Sequence, residues 1–359
     1  MLLAAGVKLG DFHVVPILID PHKDLEELNR CKLLLKLYND INREQYKNTK
    51  LKDGFFHTQV STLSELMSES NLNQDFDIDQ KNDISFKDFI NYPNLPNVSQ
   101  ITRDLINLLY SETTIENSLS VGFKGNPHVG AVVLNQLMDS PAIKNFETIF
   151  GKDDRIFIVG SIFGGTGAAG FPLLLKNFRE STDQNIKNAL IGSLTVLPYF
   201  KLMDPTSLEK VSDIDSDTFM MKTRSALSYY SKHITNLNAQ YYIADFDHQS
   251  KPYVNDEDKQ QNMAHLVEMI GAYSIVHFAN INSLTEQKKV FKYCMEKDAD
   301  TVDFTNIGGP TTSKIGKQIT SLKLAELLYY EARKRKALPY SKIYDLQSEV
   351  FNSQFSEYL

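Results

Sequence analysis

Cysteine is scarce in this chain: only Cys31 and Cys294 occur among 359 residues, far apart and outside any CxxC or Cys/His cluster. That pattern excludes a disulfide framework and a structural zinc site, and it fits free thiols in a reducing compartment. No apolar run approaches the ~20 residues that cross a bilayer. The opening Met1-Leu2-Leu3-Ala4-Ala5-Gly6 lacks the basic start and the full apolar stretch of a signal peptide. The expected location is therefore cytoplasmic, without a membrane span. Basic residues never form a long run, and 38 of them against 45 acidic ones leave a net charge of −7. Nucleic acid is accordingly not an expected partner.

What is present describes a folded globular chain. Hydrophobic residues make up 42% and charged residues 23%, with a mean hydropathy of −0.30, enough for one large core or two modest ones. Residues 12–19, Phe-His-Val-Val-Pro-Ile-Leu-Ile, read as a buried strand ending at Asp20-Pro21, although Pro16 removes a ladder donor. Leu25, Leu28, Leu34, Leu35 and Leu37 then recur near helical spacing from Asp24 to about Ile41. Residues 42–100 are polar and irregular, richest in Asn, Asp, Gln and Ser from Ser68 to Asp83, and read as a surface excursion with helical pieces. A helix is expected over 100–111.

Further strands are predicted at Arg155–Val159, Ala189–Leu197 and 239–245, alternating with helices at about Pro172–Arg179 and 216–234. This alternation predicts a doubly wound α/β fold with a mostly parallel sheet flanked by helices. The segment 258–279 is apolar on nearly every side from Leu266 to Phe278, as expected of a long helix buried between layers. After a break at Ile307-Gly308-Gly309-Pro310, helices are expected near 313–335 and 340–356. The organisation is then 1–257, the core helix 258–279, and a mainly helical 280–359.

Two loops carry the chemistry. Gly164-Gly165-Thr166-Gly167-Ala168-Ala169-Gly170 follows a predicted strand and opens a predicted helix. Glycines there let the backbone approach an anion, and the first amides of the helix point at it with the helix dipole behind them. Tight packing of helix on strand explains such glycines equally well. Upstream, Gly125-Asn126-Pro127-His128-Val129-Gly130 makes a second glycine loop before a helix starting near Ala131. The first loop fits neither GxxxxGK[ST] nor GxGxxG. His128 is either a phosphate donor or a solvated residue, the pairs Tyr229-Tyr230 and Tyr241-Tyr242 either base platforms or packing, and Asp213, Asp215 and Asp217 a solvated helix start.

The heptapeptide 164–170 resembles the GGGTGTG or GGGTGSG signature of the bacterial tubulin/FtsZ family, with Phe163 where a further glycine often stands. Gly125 to Gly130 resembles that family's GANPEVG segment, and Leu194 to Phe200 resembles its strand and proline-aromatic loop beside the ribose. The resemblance covers about residues 12–280 and implies GTP or GDP held by Gly164, Gly165, Thr166, Gly167, Ala168, Gly125, Asn126 and Pro127, with Pro198 near the ribose. By position it places Asp20 near Mg²⁺ and phosphate. Asn262 stands at the start of the core helix near the base, with His265 as the alternative, and Glu286 is the candidate carboxylate for hydrolysis. It implies head-to-tail self-association with slow GTP hydrolysis at the interface. The chain departs from the family in starting after the first strand and its glycine loop, and in losing the acidic spacing around Glu286. Those departures favour the alternative of a nucleotide-free, tubulin-like scaffold that binds a partner protein.

Overall fold

The computed structural model describes residues 1–22, 25–47, 54–67, 84–120, 122–200, 218–244, 265–281, 289–292 and 312–335. Three predicted apolar runs become strands: β1 (Arg155–Ser161), β2 (Leu190–Val196) and β3 (Ala239–Ile243). A fourth, β4 (Lys289–Lys292), was not legible in the sequence. All pair in parallel in the order β1-β2-β3-β4, with Ile158 opposite Ser193 and Ala239 opposite both Gly192 and Lys289. Parallel sheets are covered on both faces, which is why β1 and β2 read as largely apolar runs rather than as alternating ones, with Ser193 and Thr195 of β2 and Gln240 of β3 buried among them.

The longer helices are α1 (Glu26–Tyr46), α2 (Gln100–Leu109), α3 (Pro127–Asn135), α4 (Pro141–Ile149), α5 (Gly165–Glu180), α6 (Phe219–His233), α7 (Leu266–Asn280) and α8 (Thr312–Lys334). One face of the sheet, carrying Ile156, Ile158 and Ile191, packs under Phe171, Leu174 and Leu175 of α5 and under Phe219 and Tyr230 of α6. The opposite face, with Leu194 and Tyr241, packs on Val267 and Phe278 of α7. Among the described residues the fold is thus α/β, a four-stranded parallel sheet flanked by helices.

Helix α7 behaves as its all-round apolar sequence demands. Its Val267 and Phe278 belong to the sheet core, while Tyr273 and Val276 belong to a second core with Leu2, Ala4, Val7, Ile41 of α1, Phe56, and Ile315 and Ile319 of α8. Gly192 of β2 admits the Phe278 ring, because a Cβ there would lie 2.8 Å from it. Arg155, the first residue of β1, fixes the other end of the arrangement. Its guanidinium donates to the carbonyls of Phe278 at 2.8 Å and of Ala279 and Ile281 at 3.1 Å. These carbonyls lie at the C-terminus of α7, where that of Phe278 also accepts from the Ile281 N–H at 3.3 Å, and a cation there complements the helix dipole.

Several expectations are corrected. Residues 12–19 form no continuous strand; Val14, bridged in parallel to Val60, and Leu18 are isolated bridge residues, consistent with the missing donor at Pro16. The 42–100 excursion contributes core as well as surface, since Phe56 and Phe86 are buried. The 172–179 helix begins earlier, at Gly165, so the glycine loop is itself the first turns of α5. Likewise α3 starts at Pro127, a residue pre-set for the first helical position, rather than at Ala131. The described part of the core helix begins at Leu266 with His265 as its N-cap. The predicted break at 307–310 and helix at 340–356 lie outside the described residues.

Candidate functional site

At the C-terminal ends of β1 and β2 three loops converge, the position where open parallel sheets place their ligands. After β1 the chain turns through Ile162 and Phe163, both buried, with Ile162 N–H donating to the Val196 carbonyl at 2.9 Å. Gly164 then caps α5 without any side-chain acceptor, leaving the first-turn amides of the helix to other partners. The second loop follows from contact with the first. A Cβ on Gly165 would lie 2.7 Å from Phe123 Cβ and 3.2 Å from the Asn126 nitrogen, and one on Gly130 would lie 2.8 Å from the Gly165 carbonyl. The 123–126 turn, with Lys124 and Gly125 at positive φ, therefore abuts the start of α5.

The third loop leaves β2 through Pro198, Tyr199 and Phe200. Phe200 stands edge-on to Phe163 at 5.5 Å, and Tyr199 edge-on to His265 at 5.0 Å. Phe219 of α6 closes the group, 4.7 Å from Phe163. His265, one of the two residues expected near a base, thus sits beside the 198–200 loop, with its Nδ1 accepting from the Val267 N–H at 3.1 Å. Asn262 and Glu286 lie outside the described residues, as do Asp213, Asp215 and Asp217.

Asp20 lies on the same side of the molecule. Ile19 shares an apolar cavity with Thr166 and Gly167, and Pro21 meets the Gly122 turn. Burial pushes the Asp20 carboxyl above its ordinary range, against the lowering effects of the His22 N–H, which it accepts at 2.8 Å, and of the His22 charge. No cluster of three metal-ligating side chains occurs among the described residues. A Mg²⁺ here would take one protein carboxylate and draw its remaining oxygens from phosphate and water.

The glycines divide by role. Gly165 and Gly167 are required by packing: a Cβ on Gly167 would lie 2.6 Å from the Ser161 nitrogen and 2.8 Å from its carbonyl. Gly164, Thr166 and Ala168 are only half-buried, and the N–H groups of Gly164 and Thr166 are among the first four that the helix leaves without an intrahelical acceptor, which an anion fits. His128 is exposed on α3.

Two features had no signal in the sequence. Lys222, in the first turns of α6, reaches the second loop and donates to the Gly125 carbonyl at 3.1 Å. Thr195, opposite Gly160 on β2, buries a hydroxyl that finds no hydrogen-bond partner among the described residues. A lone lysine in a helix and a threonine in an apolar run are too common to be singled out from sequence. No described helix is long and apolar enough to cross a membrane. The sequence matches no protein-family model, and no curated protein matches it.

Proposed function

We propose that this chain is a tubulin/FtsZ-like guanine-nucleotide-binding protein that associates head to tail, with slow hydrolysis completed at the contact between subunits. The observation that carries the reading is the convergence of the 123–130, 163–168 and 198–200 loops at the ends of parallel strands, in segments that resemble that family's nucleotide loops in order and kind. In this reading the first amides of α5 and the 125–127 turn hold phosphate, Pro198 and Tyr199 border the sugar, and His265 or Asn262 meets the base. The net charge of −7 leaves phosphate binding to local backbone dipoles rather than to a general positive field. Location in the cytoplasm and a tubulin-like doubly wound topology belong to the same proposal.

A second reading has a specific observation behind it. Packing alone accounts for Gly130, Gly165 and Gly167, so a scaffold that binds a partner protein without nucleotide would need them too. Calorimetric titration with GTP and GDP plus Mg²⁺, with ATP as control, separates the two. The informative variant is Ala168→Glu, which sets a carboxylate beside the phosphate position on a half-buried residue. Changes at Gly167 would damage the β1 contact instead. Micromolar guanine-nucleotide binding that the variant abolishes is the expected result, and absence of binding to the folded chain leaves the scaffold reading standing.

A further inference from the structure

Helices α5 and α6 cover the same face of the sheet, but they are seated differently. α5 buries Phe171, Leu174, Leu175 and Phe178 there and brings Gly167 against the β1 backbone. α6 buries only Phe219, Thr223 and Tyr230 of its 15 residues, and it makes no comparably close approach to any described strand. Its Met220, Met221 and Tyr229 are exposed.

The seam beneath α6 is polar. Ile191 of β2 points into the core that α5 and α6 share, so Ser193 and Thr195, two and four residues on, point the same way. The register sets Gln240 of β3 opposite Ser193 and Tyr242 opposite Thr195. On the helix side, Phe219, Thr223 and Tyr230 form one stripe of α6. Phe219 and Tyr230 pack in the shared core, which turns Thr223 toward the sheet. Burial raises the pKa of both Tyr230 and Tyr242, and Tyr242 lies near enough to Tyr230 to add to its rise. Ser193, Thr195 and Thr223 are all buried, and their three hydroxyls find no hydrogen-bond partner among the described residues. A hydroxyl taken out of water without a partner is a cost, and a seam kept for stability alone would carry apolar side chains of the same shape.

We propose that α6 is a movable cover on the candidate site, which lifts off the sheet as a unit while the strands stay paired. Lifting lets water reach the three hydroxyls, so it costs less than parting an apolar seam of equal size. The site feels the motion because the first turns of α6 hold two of its parts. Lys222 donates to the Gly125 carbonyl at 3.1 Å, and the Phe219 ring lies 4.7 Å from that of Phe163 and 6.0 Å from that of Phe200. Closed, α6 fixes the 123–126 turn against the start of α5 and completes the aromatic group; open, it releases both. The device belongs to the fold and does not depend on what the site binds.

Thiol labelling reads the opening. In a full-length background of Cys31→Ser and Cys294→Ser, Ser193→Cys places a thiol under α6, and Ala239→Cys places one on the opposite face of the sheet, under α7. Each variant's unfolding equilibrium, measured in urea, sets the labelling rate that global unfolding alone allows. The Ser193→Cys variant should react with a small disulfide reagent at least roughly tenfold faster than that limit, and the Ala239→Cys variant at the limit. Adding Thr223→Val, which removes one unpartnered hydroxyl from the seam, should bring the Ser193→Cys rate severalfold closer to its limit. Adding Lys222→Met, which cuts the tie to Gly125, should carry it severalfold further away. Thr195→Cys takes the place of Ser193→Cys if circular dichroism shows the latter unfolded. Labelling at the unfolding limit on both faces, or a rate that neither Thr223→Val nor Lys222→Met moves, overturns the proposal.

Discussion

Gly167 occupies a space that no side chain can share, with the Ser161 backbone 2.6 Å from where its Cβ would be. Gly167→Ala should therefore push α5 off the end of β1 and cost about 1–3 kcal/mol in urea unfolding. Thr195 should respond in the opposite direction. Its buried hydroxyl has no partner among the described residues, so Thr195→Val, which keeps the shape, is expected to raise the urea midpoint by the equivalent of about 1 kcal/mol. His277 links stability to pH. Burial holds its imidazole below the ordinary 6.5, and the Tyr241 hydroxyl lies 2.9 Å from its Nδ1. The unfolded chain then takes up the proton first, so stability should fall as pH drops below about 6.5 and level once the native ring also protonates. Urea midpoints measured across that range should show a shallower decline for His277→Gln.

At the scale of elements, Arg155 joins a strand to a helix through three carbonyls of the α7 terminus. Arg155→Ala should cost about 2–4 kcal/mol, and Arg155→Lys should recover only part, because an ammonium can donate to the same carbonyls but lacks the planar guanidinium that lies over the Phe12 ring. The elements also show what the sequence could tell. Strands β1 and β2 were legible because both of their faces are covered, which leaves them largely apolar. The buried character of α7 was legible for the same reason. Strand β4 was not: it is four residues long, lysine stands at both of its ends, and Val290 is half-exposed, so nothing in it marks burial. The 12–19 run misled in the other direction, because β-branched residues that line a cavity read like residues that pair in a sheet. In the candidate site Gly130, Gly165 and Gly167 were legible because close backbone approach demands them. Lys222 and Phe219 were not, because only the packing of α6 against the strand ends brings them to the loops that hold Gly125, Phe163 and Phe200.

Among the described residues α7 joins two cores, with the sheet on one side and the core of residues 1–9, α1 and α8 on the other. Ile315, Ile319 and Leu322 give α8 a buried stripe at helical spacing, and the Gln318 side chain donates to the Gly6 carbonyl at 2.7 Å. Ile319→Ala should thus cost about 2–4 kcal/mol although it lies far from the candidate site. Its guanine-nucleotide titration should match the parent's at temperatures where both are folded, which calorimetry can check directly.

The contact between Gln318 and Gly6 spans 312 residues of chain, and it sets a timetable. A ribosome adding about 5–20 residues per second releases Leu2, Ala4, Ala5 and Val7 tens of seconds before Ile315 and Ile319 arrive to cover them. Throughout that interval an apolar patch destined for the interior stays wet. The nascent protein is therefore a natural client for a holding chaperone, one that lets go only when α8 has left the exit tunnel.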